Sequence, residues 1–275
     1  MAYSSALKRN NVKVTGEGDQ ALVLVHGFGC DYKVWKYLTP HFTARFRVVT
    51  LDLTGSGLSD ISAYDFHRHA TLDGHAQDVI EVCRELNLSQ ISFVGHSVAS
   101  MIGVLMANAE PQLVSRMVML CPSPCYLNDG DYRGGFESAD VDGLLDFLDA
   151  NFLEWSTKMA PVFMGVQSKP ELAAALTENF CRNDPDIARH FGRVTFLGDH
   201  RRDVSECSTP SLILQTSDDF VAPTCVGEWM HGAMYGSTLK VLRATGHCPH
   251  LSSPEETLAA LRGYLSDTAH AAKRI

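Results

Sequence analysis

The chain has 275 residues, of which 45% are hydrophobic and 20% are charged, and its formal net charge is −9. This composition is typical of a globular protein with a complete apolar core. The acidic balance, without a block of Lys and Arg, argues against nucleic acid and anionic membranes as partners.

The N-terminal segment and the cysteines bear on the cellular compartment. The stretch MAYSSALKRN has no apolar h-region, so no secretion signal is predicted, and the longest nearly apolar run, residues 98–109, is too short to span a bilayer. Eight cysteines are scattered along the chain with no C-x-x-C motif. We therefore expect reduced, packing cysteines of a cytoplasmic protein, and no disulfide between Cys121 and Cys125.

The first half of the chain alternates short apolar runs with helical patterns. Apolar residues between 76 and 83 recur at helical spacing, and residues 98–109 predict a helix that ends before Pro111. The apolar runs have the character of strands buried on both faces of a parallel sheet. These predicted strands are residues 21–25, 46–51, 91–94 and 116–120.

Strand patterns are missing between residues 127 and 200, where the apolar residues keep helical spacing. Residues 141–155 keep a single helical face, and Pro170 and Pro185 each stand at a helix first turn, with Asp184 as a cap before the second. In open α/β sheets, ligands bind at the carboxyl edge of the strands. A helical insertion in such a fold is therefore expected to cover that edge.

The strand pattern returns at residues 211–216 and 239–242, and Pro223 and Pro254 open helices after them. Strands that alternate with helices predict right-handed crossovers and a parallel sheet with helices on both faces. The predicted organisation is an α/β core and one helical lid. The core comprises residues 1–126 and 201–275, and the lid comprises residues 127–200.

The segment FVGHSVASM, residues 93–101, places Ser97 directly between a predicted strand and a predicted helix. This is the setting of the nucleophile elbow, G-x-S-x-G, in which a strained turn lifts the serine hydroxyl above the sheet. Gly95 fits the motif, but Ala99 stands where the second glycine is expected. A serine here could instead simply cap the following helix.

A serine hydroxyl needs a base, and in this fold the order along the chain is Ser, Asp, His. The loop after the strand SLILQT carries Asp218 and Asp219, and the loop RATGHCPH carries His247 and His250. Both loops follow strands at the edge that holds Ser97. We favour Asp219 as the acid and His247 as the base, with Asp218 a solvated carboxylate and His250 a satisfied loop histidine.

Acyl chemistry also needs hydrogen-bond donors for a developing oxyanion. The loop VHGFG, residues 25–29, follows the first buried strand, and loops of this type supply one backbone N–H, here from Phe28. The second donor is the N–H of Val98. The glycine-bearing loop at residues 52–59 lacks the G-x-G-x-x-G spacing. Neither a metal nor an organic cofactor is implied.

These motifs and their neighbours resemble the α/β-hydrolase superfamily, and within it the RsbQ-type bacterial stress-response hydrolases and the plant karrikin and strigolactone receptors. The stretches HGFGCDYKVW, FVGHSV, PSPCYLNDGDYRGGFE and TGHCPHLSSPEET carry the likeness, which spans roughly residues 9–257. The resemblance implies a lid inserted after the sixth strand and the triad Ser97, Asp219 and His247. It also implies a hydrophobic pocket lined by Phe28, Phe136, Trp155 and Phe196, for which the alternative is ordinary core packing. We favour the pocket for Phe136, which follows two glycines in a loop, whereas Trp155 could do either.

Three functions are compatible with these features. The first is hydrolysis of a small hydrophobic ester or lactone, which the triad and the HGFG loop favour. The second is a ligand receptor whose lid state controls a protein partner, and for the RsbQ-type proteins the resemblance implies a phosphatase. The third is carbon–carbon bond hydrolysis of diketone ring-fission products, which the same superfamily performs with the same triad.

Overall fold

The computed structural model describes residues 5–266. Seven strands form a single sheet in the order β1-β3-β2-β4-β5-β6-β7. β1 pairs antiparallel with β3, and the remaining strand pairs are parallel. The strands are β1 (Lys13–Thr15), β2 (Gln20–Val25), β3 (Phe46–Leu51), β4 (Ile91–His96), β5 (Val114–Leu120), β6 (Ser211–Asp218) and β7 (Ser237–Thr245).

Helices cover both faces of the sheet and fill the segment between β5 and β6. Three short 3-10 helices lie at Tyr32–Trp35, Thr39–His41 and Ile61–Ala63. The α-helices are α1 (Ala6–Arg9), α2 (Leu72–Glu85), α3 (Val98–Ala109), α4 (Ser138–Ala150), α5 (Phe152–Met164), α6 (Pro170–Cys181), α7 (Pro185–Leu197), α8 (Arg201–Glu206), α9 (Thr224–Ala233), α10 (Pro249–Ser252) and α11 (Pro254–Ser266). Among residues 5–266, the helices are too short or too polar to span a lipid bilayer.

The predicted α/β-hydrolase fold is confirmed, and burial on both faces of the strands explains the apolar runs. In β2, Leu22 and Leu24 belong to the core cluster on one face, whereas Val23 and Val25 belong to the cluster on the other. Successive side chains of a strand point to opposite faces, so a central strand needs apolar residues at every position. The helix predicted at residues 98–109 has those bounds in the structure.

Two features differ from the prediction. The three-residue strand β1 was not predicted, since all its residues are exposed and it lacks an apolar pattern. The helical insertion α4–α7 follows the fifth strand rather than the sixth, because the described residues before β5 form only four strands.

The helical segment is divided more finely than its apolar spacing predicts. The single face expected across residues 141–155 is broken at Asn151, whose side chain accepts a hydrogen bond from the N–H of Glu154 and so caps α5. Pro170 and Pro185 open α6 and α7 as predicted. Asp184 caps α7 by accepting hydrogen bonds from the N–H groups of the second and third helical residues.

Candidate active site

Ser97 lies between the last residue of β4 and the first residue of α3, with φ of 56° and ψ of −126°. This is a strained conformation for a residue with a side chain. The turn is tight, since a Cβ added at Gly95 would lie 2.5 Å from the carbonyl oxygen of Ala99. Although Ser97 is at the N-cap position of α3, its side chain makes no capping hydrogen bond. The interpretation of Ser97 as a mere helix cap therefore finds no support.

The Ser97 hydroxyl is instead hydrogen-bonded to a histidine. His247 Nε2 lies 2.8 Å from Ser97 Oγ, and His247 Nδ1 lies 2.7 Å from Asp219 Oδ2. An ionised carboxylate only accepts hydrogen bonds, so Nδ1–H donates to Asp219 and the Nε2 lone pair accepts from the serine. All three residues are at most 5% exposed. This arrangement can remove a proton from the hydroxyl.

Backbone contacts hold the His247 loop in place. Gly246 has φ of +79°, and an added Cβ there would overlap the carbonyl oxygen of Met164 at the end of α5. The N–H of His247 donates to the carbonyl oxygen of Phe163 at 2.9 Å. His96 Nε2 donates to the carbonyl oxygen of His247 at 2.8 Å. The base is thus held by α5 on one side and by the serine turn on the other.

The competing acid and base occupy different surroundings. Asp218 is exposed at the end of β6, whereas the second carboxylate oxygen of Asp219 accepts a 2.8 Å hydrogen bond from the N–H of Val221. His250 was predicted as a satisfied loop histidine, and that description is wrong. It lies in α10, is fully buried, and neither ring nitrogen has a hydrogen-bond partner among the described residues. Its ring packs 4.9 Å from Trp35 between centroids.

Buried neutral histidines make stability depend on pH. Burial lowers the pKa of His75 and of His250 to about 3. Below about pH 6.5 the unfolded chain binds protons that the folded protein does not. We expect the free energy of unfolding to be undiminished above that pH and to fall by up to about 1.4 kcal/mol per pH unit for each histidine as the pH drops toward 3.

Urea unfolding at pH 7.5, 6.5 and 5.5 measures this dependence. His75→Leu removes one of the buried groups and should flatten the dependence, whereas His41→Gln alters an exposed histidine and should leave it unchanged. An identical slope for wild type and His75→Leu would contradict the assignment.

The loop that contains Phe28 packs directly against the serine turn. A Cβ added at Gly27 would lie 3.1 Å from Ser97 Cβ and 2.8 Å from His96 Nδ1. In the described part of the chain, neither the N–H of Phe28 nor that of Val98 is bonded to a protein acceptor. Val98 follows Ser97 in the chain, and Phe28 follows Gly27, which packs against Ser97. Both N–H groups are therefore free to bind an oxygen near the serine hydroxyl.

A narrow cavity of about 20 Å³ opens beside Ser97 and His247. Phe28 and Phe196 line this cavity, as the resemblance implied. Trp155 and Phe136 are not in its wall: Trp155 packs behind Phe28 at 5.9 Å, and Phe136 packs against Phe220 at 5.5 Å. The cavity is lined by Phe28, Cys30, His96, Ser97, Tyr126, Phe163, Leu176, Phe180, Thr195, Phe196, Val221, His247 and Cys248.

Comparison with known proteins shows the family. The sequence profile of the alpha/beta hydrolase family matches residues 22–261. The chain belongs to the α/β-hydrolase family. This hydrolase is 38% identical to the karrikin insensitive 2 receptor CA of Petunia hybrida, over 92% of this chain and 94% of that protein. It is 33% identical to the strigolactone esterase D14 of Arabidopsis thaliana, over 95% and 98% of the two chains.

Solved structures agree with this assignment. A hydrolase from Oleispira antarctica, olei00960, superposes on this hydrolase with a TM-score of 0.93 and 36% identity, over 97% of this chain and 99% of that chain. The likeness to the plant receptors and the classification as a hydrolytic enzyme are both confirmed.

Sequence reasoning missed Tyr126, a polar residue of the hydrolase cavity. Burial raises the pKa of Tyr126 to about 12, and the nearby Ser97 hydroxyl opposes that rise. Tyr126 lies in the stretch PSPCYLNDGDYRGGFE, six residues after the last residue of β5. Its place at the carboxyl end of a central strand was the available signal.

Within residues 5–266, two buried groups bring potential metal-ligand atoms within 4.8 Å of one another. In the first, Asp78 already accepts hydrogen bonds from Arg68 and His69, and Arg9 lies 3.3 Å from it. Two guanidinium groups at one carboxylate compete with a metal cation. We therefore interpret this group, which also includes His75, as a structural network.

The second group joins the Cys121 thiol to Asp219 and His247. Burial and the neighbouring Asp219 raise the pKa of the Cys121 thiol well above its ordinary value, so the sulfur keeps its proton. Because metal ligation requires the thiolate, this cysteine is a poor ligand. The other two residues are already hydrogen-bonded to each other.

Proposed function

We propose that this α/β hydrolase cleaves small hydrophobic esters or lactones, with Ser97 as the nucleophile, His247 as general base and acid, and Asp219 as the group that orients the imidazole. The single observation that carries the proposal is the continuous hydrogen-bonded chain from Asp219 through His247 to Ser97 at the wall of an apolar cavity. Each member has the partner that its role requires.

The reaction follows from this chain. Ser97 Oγ attacks the carbonyl carbon while His247 Nε2 takes the hydroxyl proton, and the resulting imidazolium is stabilised by the Asp219 carboxylate. His247 then gives the proton to the leaving alkoxide as the carbon–oxygen bond breaks. Water, deprotonated by His247, attacks the acyl-enzyme, and the proton returns to Ser97 as the acid is released.

We propose that the backbone N–H groups of Phe28 and Val98 bind the oxyanion of each tetrahedral intermediate. The support is the contact of the Gly27 backbone with Ser97 and the free state of both N–H groups. A donor of this kind contributes about 2.7–4 kcal/mol of transition-state stabilisation.

The polarity of the cavity supports a small apolar substrate. Seven of its thirteen lining residues have a phenylalanine, tyrosine or aliphatic side chain, namely Phe28, Tyr126, Phe163, Leu176, Phe180, Phe196 and Val221. We propose that α4–α7 act as the lid, since α5, α6 and α7 contribute Phe163, Leu176, Phe180, Thr195 and Phe196 to the cavity wall.

A substrate panel with mass spectrometry tests this function. We expect aryl esters of short acids and small enol-ether lactones to be hydrolysed, and a slow substrate to leave an acyl mass on the peptide that contains Ser97. A vinylogous diketone that mimics a ring-fission product should be turned over more slowly than the esters. The reverse order would favour carbon–carbon bond hydrolysis. Turnover with no dependence on Ser97 would overturn both mechanisms.

A second candidate function is that of a ligand receptor. It is favoured by the relatives named karrikin insensitive 2 receptors, which match over most of this chain. In this case ligand binding or hydrolysis changes the conformation of the lid and thereby a contact with another protein. The RsbQ resemblance implies a phosphatase-like signalling protein in the cytoplasm as that partner. A pull-down with and without ligand separates the two roles, because an enzyme with only a metabolic role would show no ligand-dependent partner.

A further inference from the structure

Five Ser and Thr hydroxyl groups on the helices of this hydrolase bond to the carbonyl four residues earlier. Side chains of Ser and Thr in a helix can satisfy their hydroxyl on the carbonyl four residues earlier. Helices α5, α6, α8 and α11 each contain this pattern, at 2.8–3.0 Å. The residues are Ser156, Thr157, Thr177, Ser205 and Thr257.

Ser252 on α10 and Thr195 on α7 both depart from this pattern, and of the two only Thr195 lines the cavity beside Ser97. The hydroxyl oxygen of Thr195 is buried and has no hydrogen-bond partner among the described residues, although a helical carbonyl lies four residues earlier at Phe191. The residue is only 5% exposed and lines the cavity beside Ser97. A hydroxyl left unpaired in an apolar wall destabilises the folded protein, and such costs are kept where a ligand repays them.

Other polar groups of the cavity wall belong to the core of the hydrolase rather than to the lid. Ser97 and His247 are bonded to each other, and Tyr126 follows β5. The unpaired Nδ1 of His96 faces the backbone at Gly27, where even a Cβ would lie 2.8 Å from it. Thr195 is therefore the lid residue in the cavity wall whose hydroxyl is unpaired among the described residues.

We propose that Thr195 determines substrate specificity by hydrogen-bonding a second oxygen of the substrate, one that is not attached to the carbonyl carbon attacked by Ser97. This inference rests on the proposed ester or lactone hydrolysis and adds to it a substrate class: a compact, mostly apolar ester or lactone with an additional ether, hydroxyl or carbonyl oxygen. An analogue in which carbon replaces this oxygen leaves the Thr195 hydroxyl unpaired in the transition state. A site that hydrogen-bonds a substrate oxygen therefore reacts more slowly with the analogue that lacks it.

A matched series of aryl esters tests the assignment. Each ester has an acyl chain of equal length, and an ether oxygen replaces a different methylene in each member. We expect the wild type to favour one oxygenated member over the all-carbon ester by about tenfold in kcat/KM, which corresponds to about 1.4 kcal/mol. Thr195→Val should abolish that ratio, and Thr195→Ser should retain it.

The matched control is Thr257→Val, because Thr257 is also a buried helical threonine, but its hydroxyl is bonded to the carbonyl of Ser253. This variant should keep the wild-type ratio. Thermal unfolding provides a second readout: Thr195→Val should unfold at the same or a higher temperature, whereas Thr257→Val should lose a hydrogen bond and unfold at a lower one.

The outcomes separate the inference from the proposed function. Absence of hydrolysis of every ester by the wild type would contradict the proposed function. Hydrolysis without preference for any oxygenated member would overturn the role of Thr195, as would an unchanged ratio in Thr195→Val. A lower unfolding temperature for Thr195→Val would likewise count against it, because it would mean that the hydroxyl already has a partner in the free protein.

Discussion

Replacing Ser97 by alanine will lower kcat for ester hydrolysis by about 10⁶-fold, the loss measured when the nucleophile of such a triad is removed. The reason is local, since Ser97 Oγ is the atom that His247 Nε2 approaches to 2.8 Å. The remaining cavity and backbone donors can still bind the ester, so KM should change far less than kcat. Initial rates with an aryl ester, and labelling by a serine-directed phosphonate, measure both effects.

The control for this variant is Ser156→Ala, which removes another buried serine hydroxyl, one bonded to the carbonyl of Phe152 within α5. It should retain labelling and turnover. Phosphonate labelling of Ser97→Ala at the wild-type rate, or turnover within tenfold of the wild type, would mean that another nucleophile does the chemistry.

Substituting Asp219 by asparagine should reduce kcat by about 10⁴-fold while leaving the fold intact. The carboxylate accepts the Nδ1–H of His247 at 2.7 Å and so keeps Nε2 free to accept the serine proton. The amide group of asparagine can donate to Nδ1, which favours the opposite tautomer and places a hydrogen on Nε2. Steady-state kinetics, together with circular dichroism to check folding, measure the effect.

The neighbouring aspartate supplies a matched control that also decides between the two candidates from the sequence. Asp218→Asn alters an exposed carboxylate one residue earlier, and we expect its kcat to lie within about threefold of the wild type. A larger loss in Asp218→Asn than in Asp219→Asn would reverse the assignment.

The fold was predictable where one local pattern dominated. The apolar segment at residues 98–109 predicts α3 with its observed bounds, because its residues are buried on all sides and Pro111 prevents extension. The order of strands and helices predicted that the loops carrying Ser97, Asp219 and His247 meet at one edge of the sheet. Gly95 also predicted the tight turn before Ser97, since the turn leaves no room for a side chain at that position.

Other features depend on tertiary contacts that a sequence pattern does not contain. The spacing of Val141 to Trp155 suits one long helix, yet the Asn151 cap divides it. An aromatic residue beside the cavity and one in its wall look alike in sequence, so Trp155 could not be separated from Phe196. The free hydroxyl of Thr195 is visible only when its partners are known.

The hydrogen bond from the His247 N–H to the carbonyl oxygen of Phe163 has a consequence for the timing of the reaction cycle. Phe163 belongs to the last turn of α5, and the adjoining Met164 carbonyl fills the space beside Gly246. If α5 moves outward to admit a substrate, this hydrogen bond must break or the backbone of His247 must move with the helix. We therefore expect substrate entry past α5 and proton transfer by His247 to occur at different times.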